Sequence, residues 1–126
     1  MKIGVLTFIS AILVVVFDSV YLNLIKGYFG KQIKSVQGEP MKLDVTGALL
    51  CYVFLIFGIN YFIIRKRASV LDAFLLGLVI YGVFELTNKA LFKNWWYTSV
   101  FIDTLWGGIL FALVTYTTYA IDNMLR

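Results

Sequence analysis

The stretch Ile3–Ile25 reads IGVLTFISAILVVVFDSVYLNLI, and its only charged side chain is Asp18. A hydrocarbon core about 30 Å thick needs roughly 20 mainly apolar residues at a helical rise of about 1.5 Å. The segment is therefore long enough to cross a membrane as a helix. Runs such as Val14-Val15-Val16 lack the period-two alternation of a half-buried strand. Lys2 followed by apolar residues up to Phe17 has the look of a signal peptide. No small-x-small cleavage site follows, and Asp18, Tyr21 and Asn23 continue the helix, so it reads as an uncleaved first span.

Three further stretches pass the same test: Val45–Ile64, Val70–Asn88 and Ser99–Ile121. The expectation is an all-α, four-transmembrane-helix bundle forming a single membrane domain, residues 1–126. Its helices cover about 3–25, 45–64, 70–88 and 99–121, antiparallel because two of the three connections are short. Four spans cannot close a β-barrel, and open strand edges are not tolerated in lipid. Composition agrees. Of 126 residues 61% are hydrophobic, 17% aromatic and only 14% charged, with a mean hydropathy of +0.88. Soluble domains run near 25% charged.

The absence of His excludes His-based zinc sites, His-ligated haem and Ser-His triads. Cys51 stands alone and forms no internal disulfide. No nucleophile–base pair or metal motif stands out, so neither a catalytic residue nor a cofactor is expected. The net charge of +4 belongs to the flanks of the spans and points to no nucleic acid.

The longest connection, Lys26–Asp44, has two equal readings. Phe29, Ile33 and Val36, with Lys31 and Lys34 between them, suit a short helix lying on the membrane surface. A plain basic loop is the other. Gly38-Glu39-Pro40 ends either one, because Pro biases its predecessor away from helix. Orientation rests on opposed signals. The Arg65-Lys66-Arg67 triplet places the N-terminus in the cytoplasm, whereas the lysines following span one argue the reverse. Trp95, Trp96 and Tyr97 on one side, and Tyr61, Tyr116 and Tyr119 on the other, read as interfacial anchors.

Asp18, Glu85 and Asp103 lie inside the spans, where a charge costs about 2.5–3.5 kcal/mol at the helix centre. Spans one and three end on the face where span four begins, so all three acids lie toward one side of the membrane. At 100° per residue, Thr7, Ala11, Val14, Asp18 and Tyr21 share a stripe. So do Phe74, Leu78, Tyr81, Gly82, Glu85, Asn88 and Lys89, and so do Ser99, Asp103, Trp106, Gly107, Leu110, Val114 and Thr117. Span two contributes Thr46, Leu49, Val53, Phe57 and Asn60.

Convergence of these faces would build an intramembrane polar site from Asp18, Tyr21, Glu85, Asn88, Lys89, Asp103 and Trp106. Such a cluster serves as interhelical hydrogen bonding, as a proton or cation site, or as a small-molecule or lipid-headgroup site with Lys89 as countercharge. Gly107-Gly108 reads as a close helix approach more readily than a hinge. Cys51 reads as a lipid-facing or interhelical small residue.

The segment Tyr81-Gly82-Val83-Phe84-Glu85-Leu86-Thr87-Asn88-Lys89-Ala90, then Trp95, then Asp103-Thr104-Leu105-Trp106-Gly107, resembles a family of predicted membrane proteins, domain of unknown function 2177. That family's pattern has an aromatic-acid-Leu-Thr-Asn stretch in the third span and Asp-x-x-Trp-Gly in the fourth. Its first span carries Asp-x-x-Trp followed by Leu, where this chain has Asp18-Ser19-Val20-Tyr21-Leu22. Here Tyr21 replaces Trp, and Glu85 stands where Asp is common. The resemblance covers essentially the whole chain. It implies four spans, with members in bacteria and in large DNA viruses of algae, and no activity.

The functional expectation is a non-enzymatic structural or partner-binding membrane component, in a viral membrane if the source is a virus. Its partners would be the bilayer, further copies of itself, or another membrane or capsid protein. The alternative is a small oligomeric transporter or channel using the three acids for a proton or cation.

Overall fold

Four helices account for nearly all of the chain in the computed structural model, which describes residues 2–126. They are α1 (Ile3–Gln37), α2 (Val45–Ile59, continued by a π-helical turn over Asn60–Ile64), α3 (Val70–Leu91) and α4 (Tyr97–Met124). No strand occurs among the described residues. Each helix is long and apolar enough to cross a membrane.

Local chemistry explains the ends. Asp44 caps α2 by accepting the Gly47 N–H at 3.4 Å, and Ser69 caps α3 by accepting the Asp72 N–H at 3.0 Å. Trp96, the residue before α4, has no side-chain acceptor of its own. Its N–H donates instead to Gln32 Oε1 of α1 at 2.9 Å, so one helix caps another. Gly38, at φ +78°, closes α1 in the left-handed conformation that glycine adopts without strain, its N–H on the Lys34 carbonyl.

The connection expected over residues 26–44 is shorter than that. α1 continues unbroken to Gln37, so 38–44 alone join it to α2, and no separate surface helix forms. At 35 residues α1 is about 52 Å long, well beyond the hydrocarbon thickness. Its last three turns pack on the start of α4. Tyr28 meets the Trp96 ring edge-on at 5.3 Å, and the Ser99 hydroxyl donates to Gln32 Oε1 at 2.6 Å and is free to accept from the Tyr28 hydroxyl at 3.1 Å.

The tightest seam joins α3 to α4. Gly77, Gly107 and Gly108 make it possible: a Cβ on Gly77 would fall on the Gly107 carbonyl, and one on Gly107 would fall on the Tyr81 ring. The Gly107-Gly108 pair is thus a packing feature, as small residues are at membrane helix contacts. α1 packs on α4 and on α2, giving seams in the order α2–α1–α4–α3. Leu6, Val14, Ile59, Ile64, Leu110, Phe111 and Val114 fill the core.

The inward face of α2 differs from the expected one. Leu49, Val53 and Phe57 are exposed, whereas Leu55, Gly58 and Ile59 are buried and Tyr52 and Ile56 half-buried. Only Asn60 of that stripe turns in, where its amide donates to Ser10 Oγ at 2.9 Å. A span apolar on every side carries no phase signal, so the choice of face fell to packing.

Candidate functional site

In the half of the bundle where α3 ends and α4 begins, level with the middle of α1, the three intramembrane acids belong to one network of hydrogen bonds and stacked rings. Asp18, 7% exposed, receives the Tyr52 hydroxyl of α2 on Oδ2 at 2.6 Å and the Trp106 indole N–H of α4 on Oδ1 at 3.0 Å. The Tyr21 ring lies flat on Trp106, centroids 4.5 Å apart and planes within 4°. The Tyr21 hydroxyl donates to Asp103 Oδ1 at 3.1 Å. Asp103 has Glu85 of α3 as its neighbouring carboxyl group. Glu85, 1% exposed, ends the chain by accepting the Trp95 indole N–H at 3.1 Å.

The helical periodicity makes this arrangement possible. Asp18 and Tyr21 are three residues apart on α1, as are Asp103 and Trp106 on α4, so each pair presents two neighbouring side chains to the other helix. The donors are all neutral: Tyr O–H and Trp N–H. Among the described residues the ion pairs join only Asp122 to Arg67 and Arg126, at the other end of the bundle. Asp18 is satisfied as an acceptor on both oxygens. Glu85 and Asp103 are different, since each has another carboxyl group beside it and no basic side chain paired with it among the described residues.

The expected set of site residues is thus divided. Asp18, Tyr21, Glu85, Asp103 and Trp106 come together. Asn88 is half-buried at the end of α3, its backbone carbonyl taken by the Phe92 N–H. Lys89 is no countercharge to the acids, for its Nζ lies over the Tyr97 ring at 4.6 Å. A long lysine side chain reaches outward to the membrane surface more readily than into a buried cluster.

Tyr52 and Trp95 belong to the network and carried no sequence signal for it. Trp95 reads as an interfacial anchor, yet it is buried at 8% exposure with its N–H on Glu85, while Tyr97 beside it is exposed. Gln32 and Ser99 form a separate polar contact at the start of α4, and the Gln32 amide nitrogen is buried without a hydrogen-bond partner.

No seam closes α2 against α3. Between them lies a crevice of about 190 Å³ lined by Cys51, Leu55, Ile80, Tyr81, Phe84 and Asp103. Asp103 is thereby the acid of the three that opens onto a cavity. No group of three or more metal-ligating side chains occurs among the described residues.

The family described as "Predicted membrane protein (DUF2177)" matches residues 3–120. The chain belongs to that family and is an integral membrane protein. No curated protein matches it. No solved structure matches it either.

Proposed function

We propose that this member of the family is a non-enzymatic membrane component whose Glu85–Asp103 pair takes up and releases a proton or a cation. The carrying observation is that two buried carboxyl groups are neighbours, held by indole and phenol donors, with no ion-pair partner among the described residues. A scaffold can be made with amides, which hydrogen-bond without an ionisable proton. An acid pair in low dielectric holds a proton that another cation can replace. The α2–α3 crevice gives Asp103 a route to the surroundings of the bundle.

The activity this arrangement serves best is carriage of the proton or cation across the membrane. Ile59, Ile64, Leu110, Phe111 and Val114 are fully buried in the core beyond the site, which favours a carrier over an open channel. With little room for a pathway in one short chain, carriage calls for a homo-oligomer. Proton and cation flux in proteoliposomes tests this, comparing the unaltered chain with Glu85→Gln and Asp103→Asn. Flux that disappears in both variants, with helical content and melting retained, supports the reading. Equal flux in all three, or none in any, overturns it.

A structural role is the second reading, favoured by Asp18. Its two accepted hydrogen bonds tie α1 to α2 and to α4 at one point. On that reading the acids hold the bundle, or an assembly of bundles, in register, and neutralising them lowers melting instead of flux.

A further inference from the structure

On the outside of the α3–α4 hairpin, away from the acid network, a groove of about 390 Å³ runs between Leu78, Gly82 and Leu86 of α3 and Tyr97, Phe101 and Thr104 of α4. Its floor is low because Gly82 has no side chain, and a Cβ there would meet Thr104 Cγ2 at 3.4 Å. From Tyr97 to Leu105, the span of its α4 wall, the rise is about 12 Å, most of one leaflet of a core about 30 Å thick. At its mouth stands Lys89, its Nζ held over the Tyr97 ring and not paired with any carboxylate among the described residues. Lys93 follows in the turn after α3.

We infer that this groove is a binding site for one anionic phospholipid, with an acyl chain along Gly82 and Thr104 and the phosphate at Lys89. Three observations select that occupant. An apolar trough one leaflet deep matches a single acyl chain, whereas a helix from a second copy would cross both leaflets. The open cation sits at the headgroup end, where a negative surface attracts lysine. The aromatic ring under the ammonium fixes it at the depth of the interface, the level favoured by amphipathic rings. This site is separate from the carboxyl network and does not depend on its function.

Native mass spectrometry of the purified protein, delipidated and titrated with phosphatidylglycerol or phosphatidylcholine vesicle lipid in detergent, tests the assignment. The unaltered chain should retain one phosphatidylglycerol about fivefold more readily than phosphatidylcholine, the factor expected for one lysine near an anionic headgroup. Lys89→Gln should bring that ratio close to one, and Lys42→Gln, which removes a lysine from the α1–α2 connection, should leave it unchanged. Gly82→Leu, which fills the trough without touching Lys89, should reduce retention of both lipids. Equal retention of the two lipids by the unaltered chain overturns the inference, as does a preference that survives Lys89→Gln. A lipid-independent dimer that Gly82→Leu dissociates also overturns it, assigning the groove to a second copy instead.

Discussion

The two ends of the bundle handle buried acid in opposite ways. At one end Asp122, fully buried, meets Arg67 at 2.6 Å and Arg126 at 3.1 Å, and Tyr119 fastens the same corner by donating to the Ala68 carbonyl at 2.8 Å. Charge faces charge, and both arginines reach water. At the other end Asp18, Glu85 and Asp103 face only tyrosine hydroxyls, indole N–H groups and each other. An ion pair is a fixed connection whose proton inventory does not change near neutral pH. Acids held by neutral donors keep their charge open to exchange. The first end resembles a fastening and the second a site, and this difference, more than the presence of acids in spans, locates the chemistry.

Breaking what holds the ends together should have the largest effect. Gly107→Val drives a branched side chain into the Tyr81 ring across the α3–α4 seam. Overpacking of this kind costs about 3 kcal/mol or more, and the variant should yield little folded protein by size-exclusion profile and helical signal.

Asp18→Leu comes next. It strands the Tyr52 hydroxyl and the Trp106 N–H in the bundle, a loss of about 2–3 kcal/mol seen as lower melting in detergent. Asp18→Asn, which keeps an acceptor, should recover most of it.

Asp122→Asn should lower melting by less than Asp18→Leu, because Arg67 and Arg126 remain solvated when the charge is lost. The two ends separate on salt. Raising NaCl from about 0.05 to about 1 M shortens the screening length from over 10 Å to about 3 Å. That should shrink the Asp122→Asn effect and leave the Asp18→Leu effect in place.

Tyr52→Phe gives the smallest change, about 0.6 kcal/mol, the average for one interhelical hydrogen bond in a membrane protein. Melting that does not move at all would mean that Asp18 does not rely on α2.

Much of this was legible in the sequence, and the rest was hidden for identifiable reasons. Four spans followed from apolar length, and the convergence of Asp18, Tyr21, Asp103 and Trp106 followed from helical phase. Length of apolar sequence measures the bilayer and not the helix, so the polar continuation of α1 to Gln37, fixed by Gln32 against α4, reads from sequence as a separate connection, surface helix or loop alike. Tyr52 and Trp95 were invisible as hydrogen-bond donors because hydropathy counts their rings and not their O–H and N–H groups. Lys89 shares a stripe with Glu85, but a stripe constrains the Cα position and not the far end of four methylenes. Uniform hydrophobicity left the face of α2 undetermined.

The exchange at Glu85 and Asp103 is the central claim, and infrared difference spectroscopy of the reconstituted protein addresses it most directly. Deprotonating the pair by raising pH, or displacing its proton with an added cation, should remove the carbonyl stretch of a protonated carboxyl group. That band should be missing from Glu85→Gln and Asp103→Asn and present in Asp18→Asn. A spectrum with no protonated carboxyl at any pH, or a band untouched by pH and cation and retained in both pair variants, would contradict the account.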